Sequence, residues 1–159
     1  MIDTVPEQRL LLVNRRPACE RVGGFERLAD SQFQAMHAAF RDHGGIMSGD
    51  AVAERLRPAF SQPISRLARW IVSRSVVSLG WQGCTMIPMF QFQPCDLSIR
   101  TSFSHVFDEL KDTFDNWEAG LWFATPNAWL DDRPPVDCLD ESWLDVIQAA
   151  RADRFIVRG

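Results

Sequence analysis

The chain is short of several things at once, and each shortage removes a class of function. No apolar run approaches the ~18 residues that a membrane-spanning helix needs. The N-terminus, MIDTVPEQ, lacks the basic flank that opens a signal peptide. A cytoplasmic protein without membrane contacts is the expectation. The four cysteines, Cys19, Cys84, Cys95 and Cys138, share no short paired spacing, and the three histidines lie apart from them. That argues against a zinc module, and in a cytoplasmic chain such cysteines are expected as small buried hydrophobes, not disulfide partners. No serine stands in a nucleophile-elbow context and no glycine loop can cradle phosphate. Neither catalysis nor a metal or cofactor is expected, so the chain reads as a binding protein.

Acidic residues are withheld unevenly. Between Arg55 and Cys95 there is no Asp or Glu, while Arg55, Arg57, Arg66, Arg69 and Arg74 all fall in that stretch. Residues 1–80 carry 11 Arg against 8 acids, and residues 81–159 carry 13 acids against 6 Lys or Arg. The net charge of -4 therefore conceals a basic first half and an acidic second half, which points to a different partner for each. At 159 residues, 46% hydrophobic and 24% charged, the chain suits one domain or two small ones sharing a core.

Periodicity and turn residues divide the chain into an N-terminal arm (1–24), a middle segment (25–95) and a helical C-terminal segment (96–159). In the middle segment Phe33, Met36, His37 and Phe40 recur at i, i+3, i+4 and i+7, predicting a helix from Ser31 to about His43 that Gly44-Gly45 stops. His37, on that stripe, is expected as a hydrogen-bonded core histidine. Ser48 is expected to cap a short helix to about Arg57 that buries Val52, Ala53 and Leu56, with Pro58 ending it. A second helix, opened by Ser61 and Pro63, would bury Ile64, Leu67, Ala68, Ile71 and Val72 and leave Gln62, Ser65, Arg66, Arg69 and Ser73 outside. Val76–Leu79, the turn Gly80–Gly83 and the apolar run Cys84–Phe90 then make a hairpin, and Phe90 to Pro94 alternates like a half-buried strand end.

Helix, turn, helix and hairpin is the order of a winged helix-turn-helix, and this segment resembles the small DNA-binding domains of excisionase and MerR-type regulators. The resemblance implies a reading helix, and the candidate DNA contacts are Gln62, Ser65, Arg66, Arg69 and Arg74. The alternative use for the same elements is as a packing platform for the C-terminal segment. The absence of a Lys/Arg cluster and a pI near 5.3 weigh on that side, since duplex affinity comes largely from phosphate neutralisation.

From Thr101 or Ser102, Phe103, Val106, Phe107, Leu110 and Phe114 keep helical spacing, opposite an acidic side of Asp108, Glu109 and Asp112. His105 and Glu109 at i, i+4 are expected on a solvated face, and Asp131-Asp132 as turn residues. Asp115 and Glu118 form a capping box that starts a helix near Asn116, and Pro126 must end it by Thr125. Pro134-Pro135 opens a short turn to Leu139. Asp140 then caps a last helix to about Ala152 that buries Trp143, Leu144, Ile147 and Ala150, leaving the tail from Asp153 to Gly159 without a place in the core.

The run Trp122-Phe123-x-Thr125-Pro126-Asn127-x-x-Leu130, followed by Pro134-Pro135-x-x-x-Leu139 and an amphipathic helix, resembles the C-terminal toxin-binding domain of the Xre/MbcA/ParS-type antitoxins. The likeness covers roughly residues 101 to 153. It departs from the family pattern at Phe123, usually Leu, and at Asp131-Asp132-Arg133, where the family turns on Gly. It implies that this part binds a cognate toxin, typically a RES-domain enzyme acting on NAD, with the end of the chain obstructing the toxin's active site. It also implies that the protein commonly binds its own promoter DNA. The candidate partner-binding residues on this reading are Trp117, Trp122, Pro126, Asn127, Trp129, Leu130, Arg133, Arg154, Phe155 and Arg158. Trp129, Arg133 and the tail are the expected contacts, and Trp122 and Leu130 are expected to hold the turn. The expected fold is mainly α with a small β-hairpin: a winged helix-turn-helix-like N-terminal part followed by a helical toxin-binding-like domain. A homodimer or higher oligomer is the expected state, since DNA readers of this size often pair over two half-sites.

Overall fold

The first helix, α1 (Gly23–Phe40), enters the fold through Phe33, Met36 and Phe40, which are buried, with Ala39 half-buried beside them and Gln34, Ala35, His37 and Ala38 exposed. The structure is a computed structural model that describes residues 23–159, so the arm expected over residues 1–24 lies outside the described residues save for Gly23 and Gly24. His37 is exposed, against the expectation of a core histidine: the stripe is carried by Phe33, Met36 and Phe40, one residue per turn, and His37 lies beside it. A 3-10 turn (Arg41–His43) and Gly44, at φ +94, end the helix.

A strand not foreseen from the sequence follows, β1 (Ile46–Ser48), and then α2 (Gly49–Leu56), where the Ser48 hydroxyl accepts the Ala51 N–H at 3.2 Å as the expected cap. Next come α3 (Pro63–Val72), β2 (Leu79–Trp81) and β3 (Cys84–Pro88). The sheet is antiparallel with order β1-β3-β2, pairing Met47 with Ile87 and Gly80 with Thr85. Gln82 and Gly83 both have positive φ, the backbone of a tight two-residue hairpin turn, so the reversal falls within the expected turn Gly80–Gly83, while Gly80 and Trp81 belong to β2.

Val76 and Val77 are buried yet stand outside the strands. Gln91 explains this. Its fully buried amide accepts the Val77 N–H at 2.8 Å and donates to the carbonyls of Val77 and Pro88, both at 2.9 Å. The side chain thus supplies the partners a neighbouring strand would have given, which is why Gln91 is an interior residue and not the solvent side of a strand end.

The C-terminal segment consists of α4 (Thr101–Leu110), α5 (Asn116–Ala124), a 3-10 turn (Ala128–Leu130), α6 (Pro135–Cys138) and α7 (Trp143–Arg158). Both bonds of the Asp115–Glu118 capping box are made, each at 2.8 Å. The last helix starts after Ser142 and continues to Arg158, so the segment expected as a tail is helical, and Leu144 faces solvent. The buried stripe is Val146, Ile147, Ala149 and Ala150, whose small members let α7 lie close against α4.

The larger core draws Phe33, Met36, Phe40, Val77, Leu79 and Phe90 from before residue 95, and Phe103, Phe107, Trp122 and Phe123 from after it. Phe90 lies at its centre, with the rings of Phe40, Phe123 and Phe103 at 4.8, 4.9 and 5.6 Å. Each such ring contributes about 1.5–3 kcal/mol by leaving water. A smaller core joins Val52, Leu56, Leu67, Ile87, Met89 and Phe92 beneath α2 and α3. Among the described residues the fold is mainly helical with one small sheet, and no helix is long and apolar enough to cross a membrane.

Candidate interaction surfaces

Two surfaces carry most of the residues singled out in the sequence. The first is α3. Its inward side is Leu67, Trp70 and Ile71, and Trp70 packs against Phe92 at 5.8 Å and edge-on to Phe60 at 6.1 Å. An indole contributes more on burial than an isoleucine, so the helix is rotated to seat Trp70. Ile64, Ala68 and Val72 consequently face out, Ile64 at 70% and Val72 at 84% exposure, contrary to the expected buried face.

Gln62, Ser65, Arg66 and Arg69 are exposed together, lining with Phe60 and Ser61 a shallow hollow of about 120 Å³. The Arg66 guanidinium lies 4.7 Å from the Phe60 ring centre. Among the described residues neither Arg66 nor Arg69 forms an ion pair. Arg74 is different. At φ +51, it turns its guanidinium inward to the carbonyls of Lys111 and Phe114 and to Asn116, over the Phe107 ring at 5.7 Å. It ties α3 to the end of α4 and stands apart from the other four DNA candidates.

The second surface is built around Asn127 and Asp153. Thr125 is extended and its hydroxyl donates back to Leu121 at 2.7 Å, so α5 ends where Pro126 requires. The Asn127 side-chain oxygen accepts the Trp129 N–H at 2.9 Å, and its carbonyl accepts from Leu130 and Asp132 at 2.9 and 3.0 Å. The loop closes when the Asn127 N–H donates to the Arg133 carbonyl at 3.1 Å. Closure in so few residues forces Asp131 and Asp132 to φ +56 and +58, the left-handed region that favours glycine. These are the positions where the antitoxin pattern carries glycine.

From α7, the Asp153 carboxylate accepts three donors, one from the last turns of α5 and two from the loop: Trp122 Nε1 at 2.8 Å, Asn127 Nδ2 at 2.7 Å and Trp129 Nε1 at 3.2 Å. Trp122 and Leu130 are buried, whereas Trp129 keeps 61% of its surface exposed. Beside it a cavity of about 390 Å³ is lined by Leu130, Arg133, Cys138, Asp145 and Ala149. Burial pushes the Cys138 thiol pKa up, and the nearby Arg133 charge opposes that only in part. Cys138 is thus a poor nucleophile, while Cys84 and Cys95, expected to be buried, are exposed.

The remaining partner candidates divide. Arg133 is exposed, 3.4 Å from Glu141, and Pro126 is exposed on the loop. Arg154 and Arg151 converge on Glu109 at 2.5 and 2.9 Å, and Arg158 donates to Thr113 at 2.9 Å, so α7 is fastened to α4 by the cations of its last turns. Phe155, Ile156 and Val157 between them are exposed. Trp117 lies elsewhere, half-buried, bonded to Gln32 and stacked on Trp81 at 6.3 Å. His105 stacks on Trp143 while Glu109 serves the arginines, and among the described residues no three His, Cys, Asp or Glu side chains converge as metal ligands.

Asp153 is not among the partner-binding residues that the sequence suggests. The available signal was its position seven residues after Val146 on the buried stripe of α7, where a carboxylate needs donors. Comparison with protein families, with curated proteins and with solved structures yields no match.

Proposed function

We propose that this chain is an antitoxin-like inhibitor that holds a cognate toxin, of the RES-domain type, on the surface made by the 127–133 loop and the end of α7. One observation carries the reading: Asp153 locks the Trp-Pro-Asn loop to α7, so that Trp129 and the Phe155–Val157 turn face outward on a rigid frame. Large apolar groups held in place lose little entropy on binding, and a Trp beside a cavity is the kind of anchor that dominates an interface. Arg133 lies against Glu141 and Asp153 is held by the donors of Trp122, Asn127 and Trp129, so the contact is carried mainly by the apolar groups. The left-handed pair Asp131-Asp132 is compatible with the same reading, since glycine, which the family pattern usually carries at this turn, readily adopts that backbone.

The test is co-expression with a RES-domain toxin encoded beside this chain. Growth should be restored and the two proteins should purify as one complex. Trp129→Ala together with Phe155→Ser should abolish both effects while the variant stays folded. Failure of the unaltered protein to restore growth or to form the complex would sink the reading.

A second function on α3 is favoured by separate observations. We read the order α1, β1, α2, α3, β2, β3 with β3 central in the sheet as compatible with a winged helix-turn-helix, and α3 presents Gln62, Ser65, Arg66 and Arg69 from a stretch without acids. We read this as a face for promoter DNA, used by a homodimer over two half-sites. Electrophoretic shift assays at low salt should show duplex binding that weakens steeply as salt rises.

A further inference from the structure

We infer that Ile64 and Ala68 read the 5-methyl groups of thymine in the major groove, so that the duplexes this protein prefers place T·A pairs against the first two turns of α3. The inference rests on the DNA-binding reading above and adds the base chemistry to it.

The outward side of α3 is not the polar surface that helical spacing predicts. Ile64, Ala68 and Val72 stand at i, i+4 and i+8 and form a continuous apolar row in solvent, with Ser65 and Arg69 alongside. Exposing such a row costs solubility and contributes nothing to the core, which Leu67, Trp70 and Ile71 already fill on the other side. Its surroundings select the occupant. Among the described residues Arg66 and Arg69 flank the row without ion pairs, and no acid occurs from Arg55 to Cys95, so the face suits a polyanion and repels a basic surface.

On a duplex, the apolar feature within reach of a helix in the major groove is the thymine methyl, and aliphatic side chains are its usual contacts. The N-terminal residues of a reading helix lie nearest the base edges, which places Ile64 and Ala68 there and Val72 two turns further along. Arg66 and Arg69 are left for phosphate or guanine.

A randomised 20-base-pair duplex library selected on the full-length protein supplies the probe. The enriched duplex is then made twice, with thymine and with deoxyuridine, which keeps pairing and removes only the methyl. The thymine form should bind about fifteenfold tighter, from about fourfold for each of the two lost methyl contacts. Ile64→Ala should shrink that ratio to about fourfold and leave affinity for the deoxyuridine form within twofold. Because Ile64 is exposed, this variant keeps its fold, which circular dichroism verifies. Equal binding of the two forms, or a ratio that Ile64→Ala leaves unchanged, overturns the inference and spares the DNA reading. If no duplex is retained at low salt, the DNA reading falls and the inference with it. If Ile64→Asp dissociates an oligomer and leaves the ratio intact, the row is a protein contact and the inference is likewise overturned.

Discussion

On α3, Arg66 and Arg69 stand in solvent beside exposed aliphatic groups, whereas on α7 the arginines Arg151, Arg154 and Arg158 each bond back to α4 or to Thr113 just beyond it. Both helices present apolar residues outward, Ile64 and Val72 on one and Phe155, Ile156 and Val157 on the other. The difference lies in what the charges are free to do. A guanidinium without an internal partner can displace counterions from a polyanion, and its contribution falls with salt. A guanidinium already held by Glu109 stiffens the helix and leaves recognition to the apolar groups, which salt scarcely weakens. On the proposed reading one molecule has a salt-sensitive end and a salt-tolerant end, and each should be breakable without the other.

The largest effect is expected at Asp153. Asp153→Ala leaves the side-chain donors of Trp122 and Asn127 without their acceptor in a half-buried setting, which should cost about 2–3 kcal/mol in urea unfolding. Toxin binding should fall at least tenfold as Trp129 loses its frame, and duplex binding by α3 should be unchanged. A stability loss within 0.5 kcal/mol, on the order of an ordinary surface substitution, would show that the carboxylate does not organise the loop. Next in size is Arg66→Ala with Arg69→Ala. Duplex affinity at low salt should fall about thirtyfold, and the slope of log affinity against log salt should flatten by about 2, near 0.9 per lost phosphate contact. Growth rescue and stability should be unaffected, and a simultaneous loss of rescue would mean that the two ends are not separable. Smaller again is Phe155→Ser, expected to weaken the toxin complex about tenfold with no change in its salt dependence, as loss of one exposed aromatic anchor predicts.

The two ends also differ in how far they can be read from sequence. Helix starts are local chemistry, so Ser48, Pro63 and the Asp115–Glu118 box mark α2, α3 and α5 within a residue or two. The face a helix buries is not local. In α3 the apolar residues cover more than half the circumference, and the rings of Phe60 and Phe92 around Trp70 decide the rotation. Periodicity alone weighs Ile64 and Trp70 alike. The three-residue β1 is too short to show alternation, and Gln91 looks like a solvent position until Val77 is brought beside it. At the other end, the loop residues are legible because Pro126, Asn127 and Pro134 constrain their own backbone. Asp153 is legible only as a carboxylate on a buried stripe, since its donors stand 24 to 31 residues earlier. Gly120 is a similar case: a Cβ there would come within 2.9 Å of Met36 Sδ and 3.1 Å of Leu79 Cδ2, contacts that the composition of α5 does not suggest.

The smallest expected effect has the opposite sign. Asp132 holds φ +58 to close the 127–133 loop, and its own N–H is already satisfied by the Asn127 carbonyl. An aspartate tolerates this backbone better than most residues but still carries a cost of about 1 kcal/mol that glycine does not. Against this, glycine loses more freedom on folding, by about 0.5 kcal/mol. Asp132→Gly should therefore stabilise the protein by about 0.5 kcal/mol and raise Tm by about 1–2 °C, while Asp132→Val, β-branched and intolerant of positive φ, should lower stability by about 1–2 kcal/mol. If the glycine variant is the less stable of the two, the loop is not held in its left-handed form in solution. The rigid frame assigned to Trp129 would then be lost, and the salt-tolerant end would have to recognise its partner by the last turns of α7 alone.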